Sequence, residues 1–166
     1  MRRPVPIRYN WLGYINTAMI YTFCIFDRHC NCIYHREYPR EGDEQGTINK
    51  NNQSDAATLL FGVIFSLNNI VSKLGDKGEA KNFLKSFSMS KYRVHLWETA
   101  TGLKFALISD NLTDNLQNVL QELYKNYFIR NITFNALSPA EFKPQQCINN
   151  PAFIADTDKF LSSFGV

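Results

Sequence analysis

The segment IYTFCIFDRHCNCIYHREY, residues 20–38, predicts a β-hairpin. Its first part, Ile20 to Phe26, consists almost wholly of β-branched and aromatic residues and is typical of a strand buried on both faces. The polar residues DRHCN follow as a turn, in which we expect the Asp27 carboxylate to accept hydrogen bonds from backbone amides. Alternating apolar and polar residues then resume from Cys32 to Tyr38 and indicate the second strand.

The same segment raises the question of a metal or redox site, because Phe26–His35 holds two histidines and two cysteines. Tetrahedral zinc needs four converging ligands, usually from Cys-x2-Cys pairs, whereas one residue separates Cys30 from Cys32. Strand geometry would place these two cysteines on one face and His35 on the other. A redox pair would favour Cys-x-x-Cys at a helix N-terminus. We therefore predict neither a metal nor a cofactor; stoichiometric zinc in the pure protein would revive a metal or thiol enzyme.

Other catalytic patterns are missing from the sequence. It contains no G-x-S-x-G, no phosphate-binding G-x-x-x-x-G-K, no H-E-x-x-H and no G-x-G-x-x-G. His95 stands between Val94 and Leu96 in a predicted strand, where a single histidine is usually a packing or surface residue. The sequence predicts no catalytic residue.

Composition places the chain among globular proteins of one domain. It has 166 residues, of which 45% are apolar and 20% charged, and a net charge of +3 that is too small and too scattered for a typical nucleic-acid binder. Its most apolar run, residues 56–67, is shorter than the roughly 20 residues that cross a bilayer, and no signal peptide is apparent at the start. Four dispersed cysteines favour reduced thiols in the cytosol.

A long helix is predicted at residues 56–74, after a polar loop at residues 39–55 that we expect to be mobile, with Ser54 or Asp55 as its N-cap. An apolar stripe suited to packing on a sheet runs along it: Leu60, Ile64, Leu67, Val71 and Leu74. Further apolar residues do not fit on that stripe: Leu59, Phe61, Val63, Phe65 and Ile70. Such a helix must be covered on more than one side, either by its own chain or by a partner. Gly62 in its middle suggests that a second backbone approaches closely.

The second half of the chain predicts three strands and two helices. The strands are expected at residues 82–89, 92–99 and 103–109. A helix capped by Asp110 or Thr113 would follow, and a short amphipathic helix is expected within residues 152–164. The order β-β-α-β-β-β-α-α predicts an α+β fold of the longin or sedlin type, a five-stranded antiparallel sheet between helices.

Three segments carry a resemblance to a known family: residues 20–38, LLFGVIFSLNNIVSKL at 59–74 and SKYRVHLWETATGLKFALISD at 90–110. They are similar to the family of TRAPP complex subunit 1, a core subunit of a vesicle-tethering assembly. The similarity spans about residues 19–164. Residues 1–18 have no counterpart in that family, so we expect either a flexible extension or a gene model that starts too early, followed by a domain at residues 19–166.

The resemblance implies a protein without enzymatic activity of its own. Family members pair with a second longin-like subunit and contact other small core subunits. The assembly acts as a nucleotide-exchange factor for a Rab GTPase in transport between the endoplasmic reticulum and the Golgi. The implied location is the cytoplasm, peripheral to endoplasmic reticulum and cis-Golgi membranes.

The surplus of apolar residues on the long helix then predicts where a partner binds. The predicted partner surface is Leu59, Phe61, Gly62 and Phe65, and a possible basic edge is Lys73, Lys77 and Lys81. Each apolar position could instead belong to the chain's own core, and the basic edge could simply be solvated. The alternative function is the longin-type domain of a membrane-fusion or adaptor protein. A fusion protein would require about 60 further residues with an apolar heptad, so we expect it less in a chain ending at Val166.

Overall fold

A computed structural model describes residues 19–39, 46–49, 55–74 and 82–164, and the structural statements below concern those residues. The elements in chain order are β1 (Ile20–Phe26), β2 (Cys32–Glu37), α1 (Asp55–Val71), β3 (Ser86–Ser88), β4 (Tyr92–Glu98), β5 (Lys104–Asp110), α2 (Gln117–Glu122), a π-helix (Leu123–Thr133) and α3 (Pro151–Ser162). The strands form one antiparallel sheet in the order β2-β1-β5-β4-β3. The predicted α+β, longin-like architecture is confirmed.

Helices cover both faces of this sheet. On one face, α2, the π-helix and α3 bury a large aromatic cluster centred on Phe105, whose ring lies 5.6 to 6.2 Å from those of Phe23, Trp97, Tyr124 and Phe128. On the other face, α1 is the one helix of the described ranges, and it packs over a smaller cluster. Its buried members are Cys24, Phe26, Cys32, Ala57, Ile64, Val94, Leu96 and Ala106. The two faces therefore differ in how completely the chain covers them.

The β1–β2 turn is organised by Asp27, as the sequence predicted. The Asp27 Oδ1 atom accepts hydrogen bonds from the backbone amides of His29 and Asn31, each at 2.8 Å, and Oδ2 accepts from the Asn31 side chain at 3.0 Å. Cys30 closes the turn in the left-handed region at φ 72°. The carboxylate thus compensates for a backbone conformation that costs free energy in any residue with a side chain.

Replacing Asp27 should therefore loosen this hairpin. We expect Asp27→Ala to lower the free energy of unfolding by about 1–2 kcal/mol, because two backbone amides lose their acceptor. Asp27→Asn keeps one side-chain oxygen and should lose less than half as much. Urea denaturation measures both variants, and equal losses would show that the hydrogen bonds at Oδ1 do not matter.

The prediction that Cys32 and His35 lie on opposite faces is wrong. Cys32 pairs with Phe26 and His35 with Cys24, so both are opposite residues of the same β1 face. The register shifts between these pairs because Ile33 is an extra residue, a β-bulge that sends Ile33 and Tyr34 to the aromatic cluster together. Strict alternation fails at such a bulge. Cys30 itself lies in the turn, before the strand begins.

Several predicted boundaries also change. The strand expected at residues 82–89 is only Ser86–Ser88, since the backbone of Leu84 donates to the α1 side chain Asn68 at 3.2 Å instead of continuing the sheet. The helix expected to be capped by Asp110 or Thr113 begins at Gln117, whose backbone amide donates to Asn115 Oδ1 at 2.9 Å. The long helix begins at Asp55 and ends at Val71, three residues earlier than expected.

The second predicted helix becomes a π-helix after Glu122. Its buried residues, Leu123, Phe128 and Ile132, follow at intervals of five and four, which the wider π-helical turn brings to one face. α3 follows as the predicted short helix, and Asn150 caps it by accepting from the amides of Ala152 and Phe153 at 2.9 and 3.1 Å. Pro151 occupies the first helical position, where its missing amide hydrogen has no cost.

Most of the predicted mobile loop and the whole predicted extension at residues 1–18 lie outside the described residues. Within the loop, residues 46–49 run along the outer edge of β2. Glu37 donates its amide to the carbonyl of Thr47, and Asn49 donates to that of His35, each at 2.8 Å. This segment covers part of an edge that would otherwise present unpaired backbone groups.

His95 is fully buried in β4 beneath the aromatic cluster, with Nε2 at 2.9 Å from Ser109 Oγ. Burial, together with the nearby Arg93 charge, lowers the pKa of His95 to about 4. The unfolded chain, with a histidine pKa near 6.5, therefore binds more protons than the folded chain between about pH 4 and 6.5. His95 packs as a neutral ring and makes the fold acid-sensitive.

We expect the free energy of unfolding to fall as the pH drops from 6.5 to 4, with His95 contributing about 2–3 kcal/mol of the loss. Above pH 6.5 this contribution should not vary. Chemical denaturation of wild type and His95→Gln at a series of pH values measures this contribution. The reference is pH 8, at which histidine and glutamine are both neutral. A variant whose stability falls with acid as steeply as wild type would refute the role of His95.

Candidate partner-binding surface

α1 packs on the sheet with only one of its sides. Ala57 and Ile64 are its buried residues, while Leu60 and Phe61 contact the same cluster and remain half-buried. The opposite side carries four exposed apolar residues: Leu59 at 68%, Val63 at 46%, Phe65 at 54% and Ile70 at 56% of their full exposure. We call these four residues the outer face of α1.

The outer face has the geometry of a second packing surface. Leu59, Val63 and Ile70 follow at intervals of four and seven residues, which places them in one line along a helix. Phe65 lies at least a third of a turn away, on the other flank of the exposed side, where it stacks on Phe61. No charged residue occurs from Ala56 to Ser72. A helix with one solvated side normally carries charged residues there, so this composition is typical of a helix that is covered on both sides.

The predicted partner residues divide into two groups. Leu59 and Phe65 lie on the outer face, and Gly62 is exposed between them. Phe61 is turned partly inward: its ring lies 5.4 Å from that of Phe26 and stacks at 6.3 Å on Phe65, so it joins the chain's own core to the outer face. The role of these residues in binding stays a prediction, and Phe61 has a structural role as well.

No close packing explains the glycine at position 62 within the described part of the chain. A Cβ atom added there would meet nothing within 4 Å. Its cost in helix propensity, about 1 kcal/mol relative to alanine, is therefore not offset by any close approach among the described residues. The predicted approach of a second backbone at Gly62 would have to come from elsewhere.

Val63 and Ile70 belong to the outer face although they were not among the predicted partner residues. The signal that identifies them is their spacing from Leu59, which forms a stripe displaced from the buried one. Of the predicted basic edge, Lys73 is exposed just after α1, and Lys77 and Lys81 lie outside the described residues.

The buried thiols beneath α1 serve as apolar packing. A hydrogen bond with the neighbouring Cys32 thiol, and burial, raise the pKa of Cys24, which keeps it protonated. That same hydrogen bond lowers the pKa of Cys32, whose Sγ donates to the Tyr34 carbonyl at 3.3 Å. Among the described residues, no three histidine, cysteine or acidic side chains converge in a way that could hold a metal ion.

Comparison with known proteins shows which families and sequences this chain resembles. The model of the Sybindin-like family matches residues 20–143. Trafficking protein particle complex subunit BET5 of Saccharomyces cerevisiae is 41% identical, covering 86% of this chain and 96% of that protein. Transport protein particle subunit bet5 of Schizosaccharomyces pombe is 34% identical over 66% of this chain and 73% of its own. Trafficking protein particle complex subunit 1 of Homo sapiens is 26% identical over 87% of this chain and 92% of its own.

These matches confirm the resemblance carried by the hairpin, the α1 segment and the β4–β5 segment. They extend over nearly the whole length of two of the three relatives, so the similarity is not confined to one motif. The chain belongs to the Sybindin-like family, in the group of trafficking protein particle complex subunit 1 and its yeast counterparts.

Proposed function

We propose that this chain is a core subunit of a TRAPP-type complex in vesicle transport, and that it pairs with a second longin-like subunit through the outer face of α1. The observation that carries the proposal is the side of α1 that no described element covers and that has no charged residue from Ala56 to Val71. Relatives named as subunits of trafficking protein particle complexes support it.

The outer face suits a permanent interface better than a transient one. Obligate interfaces resemble a domain core that has been cut in half, with large apolar side chains at the centre. Complete burial of a leucine, valine, isoleucine or phenylalanine side chain contributes about 1.5–3 kcal/mol relative to full exposure. Each of these four side chains is more than two-fifths exposed in the isolated chain, so a partner would gain part of that free energy by covering it. Gly62 would allow a partner helix to approach the α1 backbone closely.

In this proposal the assembled complex acts as a nucleotide-exchange factor for a Rab GTPase in transport from the endoplasmic reticulum to the Golgi. The chain contributes binding surface: the complex stabilises the nucleotide-free GTPase and so shifts the population toward an open nucleotide pocket. Other core subunits contact the chain and supply further parts of that surface. No general acid or base is required for such a reaction.

Membrane association in this proposal is peripheral and depends on the complex, at the cytosolic side of endoplasmic reticulum and cis-Golgi membranes. In the described ranges, no helix has both the length and the apolar character to cross a bilayer. The exposed Lys73 would extend the contact toward an acidic neighbour or the membrane surface, together with Lys77 and Lys81.

Affinity purification of the tagged chain from its own cells tests the proposal. We expect stoichiometric recovery of other TRAPP-type subunits, with a longin-like subunit among them, and accelerated nucleotide release from a Rab GTPase by the purified assembly. With purified assembly that lacks this chain, the Rab GTPase should release nucleotide no faster than in buffer alone. Recovery of a well-behaved monomer without such subunits would refute the proposal.

A further inference from the structure

A cavity of about 620 Å³ lies at one end of the sheet, far along β1 from its first residue. The β1–β2 turn, the β4–β5 turn, the π-helix and the loop after the π-helix line it, and it opens to solvent. This volume falls within the range of about 300–1,000 Å³ that is typical of sites for small ligands. The cavity is separate from the outer face of α1, which lies over the opposite face of the sheet.

Most of the lining of the cavity is apolar. Its floor is formed by the buried residues Ile33, Phe128 and Ile132, and Tyr124 and Phe142 form its walls. The intervals of four between Tyr124, Phe128 and Ile132 place all three on one side of the π-helix. An apolar chain would find matching surface there.

Polar side chains also line the cavity, and Arg28 is the one among them that carries a permanent positive charge. It follows Asp27, whose carboxylate is fully engaged by the turn, and its Cβ atom packs against the β4–β5 turn. Gly102 makes that contact possible: it has φ +84°, and a Cβ atom there would lie only 3.1 Å from the Arg28 Cβ. Two turns therefore hold Arg28 at the mouth.

Arg28 pairs with Glu141 across the mouth of the cavity. The two side chains are 57% and 65% exposed, and ion pairs as exposed as this one contribute little to stability. Glu141 lies in the loop between the π-helix and α3, which has no regular structure. Asp27 also lines the cavity, but its carboxylate is engaged by the turn, so an anionic ligand would have to displace only Glu141 to reach Arg28.

We propose that this cavity binds the single apolar chain of an anionic amphiphile, with the chain against Phe128 and Ile132 and the anionic group on Arg28 in place of Glu141. The ligand class is a fatty acid or the acyl chain of an anionic membrane lipid, which share this chemistry. The inference goes beyond the proposed function and does not depend on it.

Calorimetric titration of the full chain with octanoate, decanoate and dodecanoate tests the apolar part of the proposal. We expect one saturable site whose affinity rises roughly tenfold for every two added methylenes. Decanol, which has no charge, should bind roughly tenfold more weakly than decanoate because it lacks the charge-assisted contact with Arg28. No saturable site, or equal binding of decanoate and decanol, would overturn the proposal.

Variants test the position of the ligand. Arg28→Gln should weaken decanoate roughly tenfold and leave decanol unchanged, while Glu141→Gln should tighten decanoate. Ala136→Trp and Ala140→Trp each place a large side chain at the cavity and should abolish binding of both probes in a chain whose thermal unfolding is that of wild type. Unchanged decanoate binding in a folded form of either tryptophan variant would overturn the assignment.

Vesicles distinguish the two sources of the ligand. Sedimentation with phosphatidylserine vesicles, but not with phosphatidylcholine vesicles, that is lost in Ala140→Trp would identify a membrane lipid. Binding of decanoate without such sedimentation would identify a free fatty acid. Sedimentation that persists in both tryptophan variants, without decanoate binding, would show attraction to surface charge alone and overturn the proposal.

Discussion

Leu59→Asp is expected to abolish binding of the partner subunit while changing the free energy of unfolding by no more than about 0.5 kcal/mol. Leu59 is 68% exposed in the isolated chain, so water solvates the new carboxylate and the fold tolerates it. In an apolar interface the same carboxylate would be desolvated without a counter-ion, which costs several kcal/mol. We therefore expect affinity for the partner to fall by a factor of at least about 100.

A matched control separates this effect from a general effect of surface charge. Leu112 follows β5, is 82% exposed and lies outside α1, so Leu112→Asp makes the same chemical change at a similar exposure. Binding to the α1 partner should remain at the wild-type level in this variant. Co-purification with the partner and urea denaturation together measure both properties. Wild-type binding by Leu59→Asp would place Leu59 outside the interface, and its failure to fold would place Leu59 in the chain's own core.

Phe105→Ala should give the opposite pattern, with a loss of about 3–5 kcal/mol in the free energy of unfolding. The Phe105 side chain is fully buried in the aromatic cluster, and its removal leaves a cavity between both strands and helices. Domains of this kind have a total stability of about 5–15 kcal/mol, so the variant would be close to unfolding at ordinary temperature. Partner binding should then fail because the fold fails.

Urea denaturation measures this loss, and Phe83→Ala is its control. Phe83 is 63% exposed beside α1, so truncating it should change the free energy of unfolding by less than about 0.5 kcal/mol. A loss below about 1 kcal/mol in Phe105→Ala would contradict the description of the aromatic cluster as the main core. Both variants remove the same atoms, so burial alone distinguishes them.

The element order and the sheet could be predicted because periodicity is strong in the hairpin, in α1 and in the β4–β5 segment. The bulge at Ile33 could not, since an extra residue leaves the local composition of a strand unchanged and is decided by the pairing with β1. The π-helix was missed for a similar reason. Its residues fit an α-helical stripe through Leu123 and Tyr127, and packing against the sheet and α3 decides that Phe128 is buried instead.

The candidate surface could be predicted only in part. The surplus of apolar residues in α1 is visible in the sequence, but a core and an interface draw on the same residue types. Phe61 and Leu59 are therefore indistinguishable by composition, although one contacts Phe26 and the other points away from the chain. Deciding between them required the orientation of α1 on the sheet, which fixes Val63 and Ile70 as members of the outer face.

The most direct test of the account asks whether the outer face is covered in the native assembly. Ser66 is exposed between Val63 and Ile70, so a Ser66→Cys variant in a Cys30→Ser background reports on this surface, and Ser163→Cys at the end of α3 is the reference. Alkylation rates at each position are followed by mass spectrometry in the free chain and in the purified complex. We predict that Ser66→Cys reacts at least tenfold more slowly in the complex, with the reference unchanged; equal rates in the free chain and the complex would contradict the account.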